Sequence, residues 1–120
     1  MRGRRIWLKG ADGHRVYESK KLVVDGNEAH ACYDMQTGDI EVASSAPDVM
    51  KRSLFHEHCH KALAHISAEE RERIFANENR EEAEEELCLY LEKTVYDLLT
   101  RNGFLRYPNP PSARKKIGNK

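Results

Sequence analysis

The chain has 120 residues, and its 20 Lys and Arg balance 20 Asp and Glu, so it is long enough for one domain and too short for two. A net charge of zero removes any general electrostatic case for binding nucleic acid or an anionic membrane. Three cysteines without a CxxC pair argue against a disulfide framework and indicate a reducing compartment. Because the apolar run at residues 6–8 is too short for a signal peptide or a membrane span, we expect a cytoplasmic protein.

Short β-type runs separated by glycines fill the first third of the chain. Asp25–Gly26 and residues 36–39 have the composition of turns, so we predict three or four short strands in a small, mostly antiparallel sheet. The runs lie at residues 5–8, 14–17, 22–24, 29–33 and 39–42.

Helical patterns follow the strands. A helix is predicted over residues 47–66, with Pro47 in its first turn and with Val49, His56 and His60 on one stripe. Ser67 is placed to cap a short helix that runs through Arg73.

A second long helix is predicted over residues 79–101, because apolar residues recur there at helical spacing and Asn102–Gly103 has the composition of a C-cap. The Pro-rich and then basic residues 107–120 are expected to be disordered. The sequence therefore predicts a single α+β domain over residues 1–106.

The first long helix contains the pattern HExxH at residues 56–60. Residues four apart lie on one helical face, so the imidazoles of His56 and His60 can converge on one metal ion. Glu57 lies about 100° further round the helix, from where it can act as general base toward a water on zinc. His58 and His65 project from the opposite face and are interpreted as solvated histidines.

A catalytic zinc site usually has three protein ligands, so one more is needed. Ile66 stands six residues after His60, which excludes the third histidine of the metzincin pattern. The acidic run at residues 81–86 offers a carboxylate instead. When the apolar stripe of the last helix defines the inward direction, Glu84 lies near it and Glu85 lies at its edge, so helical geometry slightly favours Glu84.

Taken together, three segments resemble the ImmA/IrrE-like zinc metallopeptidases, especially small versions from phages and mobile elements. They are residues 38–42, residues 54–63 with HExxH, and a C-terminal segment in two parts, residues 85–91 and 98–102, and the resemblance extends over residues 29–103. It implies a minimal zincin core and a Zn²⁺-dependent peptidase of gluzincin type. Glu85, Cys88 and Leu91 match the spacing of the family's later motif, so the resemblance implies Glu85 as the third ligand, with Glu84 as the alternative.

The sequence suggests three functions, which it supports to different degrees. The leading hypothesis is a peptidase whose protein or peptide substrate pairs with an edge strand at residues 39–42. The alternative is a non-catalytic zinc-binding regulatory or toxin-like interaction module, which would not need Glu57 as a base. Nucleic-acid binding through the basic residues 1–5 and 114–116 is disfavoured because no aromatic residues are interleaved. Cys59 and Cys88 are expected to be small apolar fillers.

Overall fold

The computed structural model describes residues 4–75 and 80–113. Strands come first and helices follow, so the predicted α+β class is confirmed. The strands are β1 (Arg4–Lys9), β2 (Arg15–Ser19), β3 (Val23–Val24), β4 (Asn27–Glu28), β5 (Ala31–Tyr33) and β6 (Ile40–Ala43). The helices are α1 (Pro47–Ala64), α2 (Ala68–Phe75), α3 (Arg80–Leu91) and α4 (Asp97–Arg101), and a π-helical segment, Glu92–Tyr96, joins the last two.

The described residues divide into two compact units. One contains the residues up to Leu54 together with those from Tyr107 onward, and the other extends from Phe55 to Arg106. Helix α1 contributes its first part to the strand-containing unit and its second part to the helical unit.

The strand-containing unit is built on a mixed four-stranded sheet in the order β1-β2-β6-β5. The β1–β2 and β5–β6 pairs are antiparallel and the β2–β6 pair is parallel. Strands β3 and β4 form a separate two-residue hairpin through Asp25 and Gly26. Both turn residues have positive φ, at 53° and 83°, which is the backbone of a type I′ turn and explains the Asp-Gly sequence.

The prediction that residues 39–42 form an edge strand is wrong. Strand β6 pairs with β2 on one side and with β5 on the other, so its backbone groups are engaged by both neighbours. The edges of this sheet are β1 and β5. The parallel β2–β6 pairing places β6 between strands that precede it in the chain, and a pattern of short apolar runs does not reveal such an order.

The core of this unit lies between the sheet and the beginning of α1. Met50 and Leu54, four residues apart, are fully buried there, whereas Val49 is 44% exposed. The stripe that contains Val49, His56 and His60 is therefore not the face that enters this core. The core comprises Trp7, Val16, Ile40, Val42, Met50 and Leu54.

The chain returns to the strand-containing unit after the last helix. The Trp7 indole donates a 3.0 Å hydrogen bond to the carbonyl of Pro108, and Pro110 is fully buried. The Ser112 N–H donates to the buried carboxylate of Glu18 at 2.9 Å. The prediction of disorder from residue 107 is wrong for residues 107–113, because they make these contacts. Residues 114–120 lie outside the described residues.

The helical unit packs aromatic and small side chains between its helices. Phe75, Cys88 and Tyr96 are buried, and the Phe55 and Tyr96 rings lie 5.3 Å apart. None of the helices at residues 4–75 and 80–113 combines the length and apolar character needed to cross a membrane.

The helix ends agree closely with the sequence. Helix α1 begins at Pro47 as predicted and ends at Ala64, two residues early. The Ser67 hydroxyl accepts a hydrogen bond from the Glu70 N–H, which caps α2. After α4, Gly103 has a φ of 76°, which is the C-cap conformation that favours glycine. The π-helical segment within the predicted helix 79–101 has no counterpart in the sequence prediction.

Candidate metal centre

The two histidines of HExxH share one face of α1, as their spacing requires. The ring centroids of His56 and His60 are 5.0 Å apart and the ring planes meet at 65°. Both side chains are largely buried, with 12% and 21% of their surface exposed. Residues four apart on a helix are neighbours, so the backbone alone brings these rings together.

Glu85 on α3 closes the group. Its Oε1 lies 3.2 Å from Nε2 of His56 and 2.9 Å from Nε2 of His60. One ligand atom from each of these three residues lies within 4.8 Å of the others. The structure thus brings together the three residues that were predicted as ligands.

Glu84 lies beside this group in a different relationship to it. Its Oε2 is 2.7 Å from Nδ1 of His60, the ring nitrogen that faces away from Glu85. Its Oε1 accepts a hydrogen bond from the Arg71 guanidinium at 3.1 Å, and Arg71 also donates to the Leu63 carbonyl at 2.7 Å. Both oxygens of Glu84 therefore have partners other than the two Nε2 atoms.

Glu92 is a further residue of the site, and the sequence analysis did not predict it. Its Oε1 lies 3.0 Å from Nδ1 of His56, again on the side opposite Glu85. A signal was present, because Glu92 follows Glu85 by seven residues and therefore shares its helical face. Like Glu85, it stands at the edge of the apolar stripe that contains Cys88. We refer to His56, His60, Glu84, Glu85 and Glu92 as the carboxylate–histidine cluster.

His58 and the predicted base, Glu57, lie elsewhere on α1, and His65 follows the end of that helix. Among the described residues, the group of converging donor atoms does not include His58 or His65. Glu57 follows His56 directly and is half-buried. Its negative charge is one of the influences that raise the pKa of His60.

The electrostatics of the cluster favour positive charge. Burial alone would lower the pKa of His60, but hydrogen bonds to Glu84 and Glu85 and the nearby charge of Glu57 raise it above its ordinary value. A cation, whether a proton or a metal ion, therefore finds compensating carboxylates here.

The thiols of Cys59 and Cys88 lie close to the two histidines. Cys88 is fully buried and Cys59 is half-buried, in keeping with their expected role as small fillers. A hydrogen bond between the two thiols lowers the pKa of Cys59 and raises that of Cys88. None of Cys32, Cys59 and Cys88 forms a disulfide.

The donor set fits zinc. Two imidazoles and one carboxylate form the His₂Glu set of catalytic zinc sites. Ligands at zinc–ligand distances near 2.1 Å in a tetrahedron are about 3.4 Å apart, so the distances of 2.9 and 3.2 Å need only a small expansion. The Glu85 side chain is 50% exposed, which leaves one side of the group open to solvent.

Comparison of the chain with protein-family models, curated proteins and solved structures gave no match.

Proposed function

We propose that this protein is a zinc-dependent peptidase in which His56, His60 and Glu85 hold the metal and Glu57 is the general base. The observation that carries the proposal is the convergence of both Nε2 atoms on one oxygen of Glu85, while each Nδ1 faces another carboxylate. This arrangement directs the metal-binding nitrogens to one point and supplies a third donor there.

The residues divide the chemistry between them. Zinc, when bound, would supply a Lewis acid that lowers the pKa of a water molecule to about 7. Glu57 would accept the proton of that water as it attacks a peptide carbonyl and would then pass the proton to the departing amine. The exposed side of Glu85 is where substrate would approach.

The substrate class is a protein or peptide, and the family we propose is the ImmA/IrrE-like metallopeptidases. Support for the family comes from the sequence, namely the HExxH pattern with the later spacing of Glu85, Cys88 and Leu91. The juxtaposition of Glu85 with both histidines agrees with the ligand set which that resemblance implies.

The test combines metal analysis with proteolysis of a mixed pool of protein substrates. We expect one zinc per chain, cleavage by the wild type, and a roughly 10²- to 10⁴-fold loss of cleavage in Glu57→Gln with zinc retained. Glu86→Gln, at an exposed position of α3, makes the same chemical change away from the cluster and should retain both properties.

The outcomes separate the two functions that the sequence left open. Stoichiometric zinc without cleavage of any substrate would favour the non-catalytic zinc-binding module. Absence of zinc binding would instead identify the cluster as an ion-pair network held together by protons on the histidines.

A further inference from the structure

We propose that Glu92 and Glu84 are positioning residues which keep the proton of each neutral imidazole on Nδ1, so that Nε2 of His56 and of His60 faces the metal. The inference rests on the proposed function, and it adds a role for two carboxylates outside the ligand set. Arg71 belongs to the same device because it fixes Glu84.

The first half of the device is the Glu92–His56 contact. Oε1 of Glu92 is 3.0 Å from Nδ1, and the opposite nitrogen, Nε2, is 3.2 Å from Glu85. Both contacting side chains are mostly buried, with 12% of His56 and 21% of Glu92 exposed. An ionised carboxylate only accepts hydrogen bonds, so at Nδ1 it requires an N–H there.

The second half is the Glu84–His60 contact, at 2.7 Å from Nδ1. Here the carboxylate is itself anchored, because Arg71 donates to its other oxygen at 3.1 Å. The second amino group of Arg71 donates to the Leu63 carbonyl at 2.7 Å, which ties the guanidinium to the last turn of α1. Glu84 is therefore fixed at both oxygens, and Glu85 is left as the carboxylate at Nε2.

A neutral imidazole has a single ring proton, and only the unprotonated nitrogen can bind a metal. With Nε2 directed at the metal, the carboxylate at Nδ1 would accept the remaining ring proton and fix the rotation of the ring. Loss of such a partner typically weakens metal affinity about 10- to 100-fold. This argument applies to both histidines. Their carboxylate partners, Glu84 and Glu92, lie on opposite sides of Glu85 in the sequence.

The decisive measurement is the tautomer of each histidine in the metal-free protein, read from ¹⁵N chemical shifts at alkaline pH. Because Glu85 also lies within hydrogen-bond distance of both Nε2 atoms, the tautomer is compared in Glu85→Ala, where we expect His56 and His60 to be Nδ1-protonated. Adding Glu92→Ala should shift His56 alone toward the Nε2-protonated form, and adding Glu84→Ala should do so for His60 alone. Glu92→Gln retains a carbonyl acceptor and should restore the Nδ1 proton in part.

Zinc titration of the wild type and of the single variants provides the second readout. Glu92→Ala and Glu84→Ala should each weaken zinc binding about 10- to 100-fold. Arg71→Ala should weaken it less, with the tautomer change confined to His60. Glu86→Ala is the matched control, since it removes an exposed carboxylate from the same helix and should leave both readouts unchanged.

Two results would overturn the assignment. One is an Nε2-protonated His56 or His60 in metal-free Glu85→Ala. The other is a wild type that binds zinc no more tightly than Glu92→Ala and Glu84→Ala do, which would remove the positioning roles and leave the proposed zinc site intact. Failure of the proposed function looks different, because the wild type itself would then bind no zinc and the positioning roles would fall with it.

Discussion

Oε1 of Glu85 lies 2.9 Å from Nε2 of His60, whereas the adjacent Glu84 reaches the other nitrogen of the same ring. Two consecutive glutamates thus face opposite edges of one imidazole. In the proposed zinc site Nε2 of His60 would bind the metal together with Glu85, and Nδ1 would keep its proton and donate it to Glu84, so the two glutamates have different chemical roles.

Substitution of single glutamates by glutamine should separate those roles. We expect Glu85→Gln to weaken zinc binding by more than the roughly 10- to 100-fold that loss of an outer carboxylate causes. Glu84→Gln should weaken it by less than that range, because the amide carbonyl still accepts from Nδ1, and Glu86→Gln should match the wild type. Competition with a zinc chelator measures all three, and equal effects at Glu84 and Glu85 would contradict the assignment of Glu85 as ligand.

Alanine substitution of the histidines tests the other two ligands. His56→Ala and His60→Ala should each abolish stoichiometric zinc binding, because only these rings converge with Glu85 among the described residues. His65→Ala provides the control, since His65 is exposed just beyond the end of α1. Elemental analysis of purified protein gives the stoichiometry, and full zinc retention in both ligand variants would refute the site.

The spacing within single helices accounts for most of what the sequence predicted about the cluster. His56 and His60 were found because four residues is a property of one helix. The choice between Glu84 and Glu85 depended on how α3 is rotated, and helical geometry alone slightly favoured Glu84. The actual rotation places Glu84 against Arg71 of α2, a contact between separate helices that periodicity does not encode.

The errors in the strand-containing unit have the same origin. Strand β6 was expected at an edge, but its parallel pairing with β2 places it inside the sheet. The tail at residues 107–113 has the composition of a disordered segment, yet its prolines and Ser112 are held by Trp7 and Glu18, which are about a hundred positions away in sequence. Long-range partners of this kind override local propensity.

Two positions five residues apart on α1, Val49 and Leu54, test which face of this helix enters the core. Leu54 is fully buried and Val49 is 44% exposed. We expect Leu54→Ala to lower the free energy of unfolding by about 2–5 kcal/mol, because a buried leucine leaves a cavity. Val49→Ala should change it by less than about 0.5 kcal/mol. Urea denaturation provides the comparison, and a larger cost at Val49 than at Leu54 would contradict this assignment of the buried face.

The buried carboxylate of Glu18 should make the stability of the protein depend on acidity. Burial alone would raise its pKa, but hydrogen bonds from Ser112 and Ser44 and the charge of Arg5 hold the pKa below its ordinary value. A carboxyl group with a pKa lower in the folded than in the unfolded state stabilises the fold above the unfolded pKa. That contribution is lost as the pH falls through the folded pKa.

Glu18→Gln should therefore lower the free energy of unfolding at pH 7 by about 1–3 kcal/mol, the range for hydrogen bonds to a buried charged group. The difference from the wild type should shrink as the pH falls below about 4, where the unfolded-state carboxyl becomes protonated. Glu28→Gln removes an exposed carboxylate paired with Lys21 and should have little effect at either pH. Urea denaturation at pH 7 and pH 3 measures both variants. A constant difference between Glu18→Gln and the wild type over this range would show that the ionised carboxylate does not hold Ser112 and Ser44 in place.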